Sequence, residues 1–158
     1  MRAVLQRVRW AEVELAGESG LEPPAAMRRI GPGLLVYVGV GVGDEPAHAE
    51  KLAEKVAYVR VFPDERGKMN LSVRDVGGGV LVIPNFTLLA DARKGRRPAF
   101  AGAAPAAEAE PVHEAFVMAI RRSVANVAAG VFGAHMIVRS AADGPVNILI
   151  ELPDPAAT

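Results

Sequence analysis

The sequence predicts a sheet-dominated α/β domain, and three observations carry that prediction. Two apolar runs, Leu34-Leu35-Val36-Tyr37-Val38-Gly39-Val40 and Val80-Leu81-Val82-Ile83, have no polar interruption, as expected of strands covered on both faces. Short strand-like stretches bounded by glycine and proline recur along most of the chain. Only two segments carry a helical repeat, too few for the crossovers of a doubly wound sheet. A chain of 158 residues suits one domain, placed here over residues 1–152, with residues 153–158 as a frayed tail.

In chain order, residues 2–8 and 12–16 alternate and predict two strands around a turn. Gly17 to Pro24 reads as a loop, followed by a short strand near Met27 to Ile30 and a sharp break at Gly31-Pro32-Gly33. After the run at 34–40, Asp44 is the expected N-cap of a helix over 45–58, whose apolar stripe is Leu52, Ala53, Val56 and Ala57. Strands are predicted near 59–62, 69–73 and 79–84. A second helix over 109–129 follows from the spacing of Val112, Phe116, Ala119, Ile120, Val124 and Val127, with Gly130 placed to end it. Strands near 135–140 and 146–152 close the domain.

Composition narrows the function classes. An apolar share of 51% with 23% charged residues describes a globular chain, and no apolar stretch reaches the roughly 18 residues of a membrane span. Arginines at positions 2, 7 and 9 stand where a signal peptide needs its apolar segment, so a cytoplasmic protein is expected. Absence of cysteine excludes disulfides and thiol nucleophiles. Eighteen basic and eighteen acidic side chains balance, unlike a general nucleic-acid coat protein. One basic cluster stands out, Arg93-Lys94-Gly95-Arg96-Arg97, readable as a solvated loop or as a phosphate clamp held in a turn by Gly95 and Pro98.

Several familiar constellations fail. Gly39-Val40-Gly41-Val42-Gly43-Asp44 lacks the Lys-Ser or Lys-Thr of a phosphate loop and the closing glycine of a dinucleotide fingerprint; a tight strand-to-helix turn explains it. His48, His113 and His135 share no metal-ligand spacing and read as surface or satisfied histidines. Neither Ser72 nor Ser123 has a histidine partner in sequence, and nothing calls for a metal or organic cofactor.

Two short motifs remain. Pro84-Asn85-Phe86-Thr87 ends one apolar run, where main-chain N–H groups can stabilise an oxyanion and the Thr87 hydroxyl can donate or orient a water. Asp143-Gly144-Pro145-Val146 heads the last strand; glycine and proline there can present bare carbonyls that test the handedness of an α-carbon. Each also has a plain reading, as strand-end threonine and turn proline. Phe100 is read as core.

Gln6-Arg7-Val8, Gly31 to Val36, Gly67 to Ser72, Phe86-Thr87-Leu88 with Ala90-Asp91, Gly95 to Phe100 and Asp143 to Val146 together resemble the D-aminoacyl-tRNA deacylases, in family order over about residues 1–152. The resemblance implies two packed sheets with helices outside, a homodimer, and hydrolysis of the ester joining a D-amino acid or glycine to the terminal adenosine of tRNA. It implies that main-chain groups of Phe86 and Thr87 hold the scissile carbonyl. Pro84 and Asn85 fall at substrate-binding positions. Gly144 and Pro145 fall on the pair that reaches into the other subunit's pocket and rejects L-amino acids. Arg96 and Arg97 are the expected tRNA phosphate contacts. Against the family's Ser-Gln-x-Thr and Asn-x-Gly-Pro-Val-Thr, this chain carries Pro84, Asn85, Ala142 and Asn147. The rival readings are a relative with changed specificity, a tRNA-end binding protein that has lost catalysis, and a hydrolase of small D-amino-acid esters or peptides.

Overall fold

The computed structural model describes residues 1–15 and 28–152; the Gly17 to Pro24 loop and the 153–158 tail lie outside the described residues. Among the described residues the elements run β1 (Arg2–Leu15), β2 (Arg28–Ile30), β3 (Gly33–Gly39), α1 (Pro46–Tyr58), β4 (Phe62–Pro63), β5 (Met69–Leu71), β6 (Gly79–Pro84), a 3-10 turn (Phe86–Leu89), α2 (Ala106–Ser123), β7 (Val127–Ala129) and β8 (Met136–Glu151). Six strands form one sheet in the order β2-β1-β3-β6-β7, with β8 also paired to β1; β4 and β5 make a separate ribbon. The sheet-rich α/β domain with two helices is as expected. β1 is long enough to give one edge to β3 along Arg2 to Val8 and to β2 along Ala11 to Val13, and its other edge to β8.

The apolar runs at β3 and β6 are central because both faces are covered. Leu34, Val36, Val38, Val80 and Val82 pack with Leu52, Val56, Phe116 and Ile120 of the helices. Leu35, Leu81 and Ile83 point the other way, into a second cluster with Val8, Ala11, Val13 and Ile30. β3, β6 and β7 are mutually parallel, so α1 and α2 each lie in a crossover. Gly33 and Gly79 are paired here, and a Cβ on Gly33 would stand 1.9 Å from the Gly79 carbonyl oxygen.

Five expectations need correction. The two N-terminal strands are one. Arg9 is an unpaired extra residue between Val8 and Trp10, a bulge that flips side-chain parity so that Ala11 and Val13 join Val8 on the same face. The two C-terminal strands are likewise one, β8, interrupted by a larger bulge. α2 ends at Ser123, because Val127 pairs with Val80 as a third parallel strand; Gly130 therefore follows a strand. The N-cap of α1 is Glu45, whose N–H donates to His48 Nδ1 at 3.0 Å. Asp44 instead accepts from the Gly41 N–H at 2.6 Å and pairs with the Met1 amino group at 2.7 Å, closing the glycine-rich turn.

Candidate active site

The corner at residues 84–87 is set by the end of β6. Pro84 lies opposite Val38, and the Asn85 N–H donates to the Val38 carbonyl at 2.8 Å, fixing where the chain leaves the sheet. The chain then turns, so Phe86 and Thr87 begin a 3-10 turn instead of extending the strand. Asn85 Oδ1 accepts from the Thr87 N–H at 3.1 Å and also from the Thr87 hydroxyl. Both polar groups of Thr87 are therefore engaged by the neighbouring side chain. The Phe86 N–H has no acceptor among the described residues. It opens the turn, where orphan donors are expected.

This corner forms one wall of a cavity of about 660 Å³, lined by Pro84, Asn85, Phe86 and Thr87 together with Tyr37, Val40, Ala109, His113, Phe132 and His135. Its volume is in the range of small-molecule sites. Burial pushes the Tyr37 phenol above its ordinary pKa. His113 corrects the sequence reading: it is 4% exposed, and its Nε2 has no hydrogen-bond partner among the described residues. Desolvation lowers its pKa to about 4, so the ring is neutral at neutral pH. Helical spacing carried the signal, since His113, Val117 and Ile120 stand at i, i+4 and i+7 and all three are buried. Phe100 is not core. It is 39% exposed, and its ring meets that of Phe86 edge-on with centroids 5.2 Å apart.

The second motif sits in mid-strand. Gln6 pairs with Asn147 and Val8 with Ala142, so Asp143, Gly144, Pro145 and Val146 all stand opposite Arg7. The altered positions 142 and 147 are thus the two shoulders of a bulge. Asn147 Oδ1 accepts from Gln6 Nε2 at 3.1 Å. Arg7 holds the bulge from beneath: Nε donates to the Asp143 carbonyl at 3.1 Å and lies 3.3 Å from its carboxylate, while Nη1 donates to the Val61 carbonyl at 2.6 Å. Gly144 has φ +132°, a Cβ there would fall 2.7 Å from the Val146 nitrogen, and the Gly144–Pro145 peptide is cis. Both residues are exposed.

Gly144 and Pro145 are not among the residues lining the cavity. Sheet register says why. The row Pro84–Val38–Ala3–Ile150 lies four residues along β1 from Arg7, and three strand spacings separate β6 from β8. That places the two motifs roughly 20 Å apart within one chain.

The basic loop is closed at its base by paired Asp91 and Ala99, with main-chain bonds of 2.7 and 2.9 Å. Gly95 turns its tip at φ +73°. Arg93 forks onto Asp91 at 2.8 and 2.9 Å and holds that carboxyl well below the carboxylate range. Lys94, Arg96 and Arg97 are exposed and make no ion pair among the described residues. Ser72 Oγ donates to Asp75 at 2.7 Å in a turn, away from any histidine. Among the described residues no three His, Asp or Glu side chains gather to hold a metal ion, and no helix is long and apolar enough to cross a membrane.

The family model for D-Tyr-tRNA(Tyr) deacylase matches residues 4–151. The chain belongs to this family. A D-aminoacyl-tRNA deacylase of Heliobacterium modesticaldum is 50% identical over 151 residues, covering 96% of this chain and 96% of that one. One of Thermomicrobium roseum is also 50% identical, covering 96% and 94%. A solved structure described as c-Myc DNA Unwinding Element Binding Protein superposes with a TM-score of 0.86 at 35% identity, over 97% of this chain and 99% of its own. A probable eukaryotic D-amino acid tRNA deacylase shares the fold, with a TM-score of 0.78 at 14% identity over 94% and 97%.

Proposed function

We propose that this deacylase-family chain hydrolyses the ester between a D-amino acid, or glycine, and the 3′-terminal adenosine of tRNA. It acts through the domain at residues 1–152, as a cytoplasmic homodimer. The observation that carries this reading is the family match over residues 4–151, combined with the placement of Pro84, Asn85, Phe86 and Thr87 in the wall of a cavity. In the reaction, water adds to the ester carbonyl and the developing oxyanion accepts from the Phe86 N–H. The Thr87 N–H joins it when the Asn85 side chain turns away. The carbon–oxygen bond to the ribose then breaks, and a proton passes to the departing hydroxyl.

Dimerisation is supported by the separation of the motifs. The exposed Gly144-Pro145 bulge and the cavity do not meet in one chain, whereas a second copy can bring its bulge to the first copy's cavity. Carbonyls there would clash with the side chain of an L-amino acid and leave room for the hydrogen of a D-amino acid. Arg96 and Arg97 reach the acceptor-end phosphates. The sequestered Thr87 groups favour a second reading, a binder of aminoacyl-tRNA without turnover. Release of D-, L- and glycyl groups from matched tRNAs by the purified protein separates the two: D-amino acids and glycine leave while L-esters persist, or nothing leaves and the second reading stands.

A further inference from the structure

The polar group in the cavity wall least explained by the fold is the imidazole of His113. Its Nε2 is out of contact with solvent and unpaired among the described residues, in a residue 4% exposed. A buried polar group without a partner is destabilising, so each one calls for an explanation, and a partner supplied by a bound ligand is one. The nearest aromatic neighbour is the Phe132 ring, with centroids 5.9 Å apart, and Val40, Ala104, Ala106 and Ala109 complete an apolar surround on the same cavity. A flat heterocycle fits such walls, meeting apolar faces with its rings and a lone polar group with its edge.

We propose that His113 is a specificity-determining residue that hydrogen-bonds the polar edge of the terminal adenine when aminoacyl-tRNA occupies the cavity. This rests on the deacylase reading above. The corner at 84–87 takes the ester, and the amino-acid side chains of the substrates differ in size and polarity. A single fixed imidazole is useful only against a group that every substrate shares, and the terminal nucleobase is that group. A neutral imidazole carries one N–H and one lone pair, and an adenine edge offers both an amine donor and ring-nitrogen acceptors, so either tautomer finds a complement. Flipping the ring about χ2 exchanges Nε2 with Cε1 and Nδ1 with Cδ2 within the same outline, so a nitrogen can face the cavity without repacking. The role is recognition; His113 takes no proton in the reaction.

The test uses the full chain with His113→Phe and His113→Gln. The probe is a non-hydrolysable adenosine carrying a D-alanyl group through an amide at the 3′ position. His113→Phe should keep or raise the apo melting temperature, because it deletes an unpaired buried group. It should weaken the probe about tenfold or more and raise KM for D-aminoacyl-tRNA alike, with kcat within a few-fold. His113→Gln, which still donates and accepts, should recover part of the affinity. In wild-type protein labelled with ¹⁵N-histidine, adenosine alone should move the His113 ring-nitrogen resonances, and D-alanine methyl ester should not. Full probe affinity in His113→Phe, or a response to the amino-acid ester but not to adenosine, overturns the assignment. If wild-type protein fails to deacylate while probe binding still depends on His113, the deacylase reading falls and the assignment stands. Deacylation by wild type with undiminished binding by His113→Phe gives the reverse.

Discussion

The corner at 84–87 and the bulge at 143–146 carry the two halves of one proposed task, yet they are held in opposite ways. The corner ends a central strand and is fixed first through the main chain, where the Asn85 amide meets Val38 of the neighbouring strand, and then by the Asn85 side chain gripping Thr87 two residues on. The bulge interrupts a long strand paired only to β1 and is held by Arg7, 136 residues away in sequence, through the Asp143 carbonyl. A site fixed through the main chain tolerates side-chain changes that leave that main chain in place. A remotely fixed one depends on its anchor. That contrast makes the 84–87 corner tolerant of a change at residue 84, whereas the bulge leans on Arg7, since the exposed Arg9 reaches only the Asp143 carboxylate, at 3.9 Å.

The sharpest break in the comparison comes from Thr87. Thr87→Pro deletes a main-chain donor and should lower kcat for D-aminoacyl-tRNA by about 10²–10³, the usual effect of losing an oxyanion contact. Thr87→Ala keeps the main-chain donor while removing the hydroxyl, with the γ-methyl, and should cost less than about tenfold. Equal losses in the two variants would make the hydroxyl, and not the main chain, the working group.

Arg7→Met tests the remote anchor. It leaves the Val61 and Asp143 carbonyls without their guanidinium, lowering stability by about 2–3 kcal/mol in urea titrations. It should also narrow the D-over-L ratio of aminoacyl release. A variant that loses stability but keeps full chiral discrimination would detach Arg7 from the bulge's function.

Acid titration tests the cavity wall between these regions. The folded pKa of His113, about 4, lies below the ordinary histidine value of 6.5, so the unfolded chain takes up a proton that the folded chain refuses. Its contribution is fully present above pH 6.5 and is lost as pH falls toward 4, by at most about 3 kcal/mol. Asp75 and Asp91, whose pKa values are lowered from 3.8, respond below that window. His113→Phe should flatten the fall in melting temperature between pH 6.5 and 4; an unchanged profile would assign it to other groups.

The smallest expected effect is at the basic loop. Reversing Arg96 and Arg97 to glutamate should leave hydrolysis of a minimal aminoacyl-adenosine unchanged. It should weaken tRNA binding and reduce the salt slope of log K by up to about two. An unaltered slope would return the loop to a solvated surface.

How legible each part was follows from how local its causes are. β3 and β6 could be read because burial on both faces leaves an uninterrupted apolar string at 34–38 and 80–83. α2 was extended too far because Val124 and Val127 continue its helical spacing, while pairing of Val127 with Val80 is invisible in the local pattern. The corner was found from Phe86 and Thr87, but the grip of Asn85 on Thr87 depends on a turn where a strand end was expected. The Gly144-Pro145 pair was found too, though as a strand entry; Arg7, which makes it a bulge, comes from the other end of the chain. Residue type points His113 to the surface, whereas its spacing to Val117 and Ile120 marks the buried face.

Subunit complementation tests most directly the claim that the two motifs meet only between copies. Gly144→Ala, with its Cβ forced against Val146, and Thr87→Pro are each prepared as weakly active proteins and then unfolded and refolded together. Random reassortment makes about half of the dimers mixed, each with one site carrying both lesions and one carrying neither, so about a quarter of wild-type chiral deacylation should return. A mixture no more active than its parents would place both motifs in the same subunit's site and contradict the account.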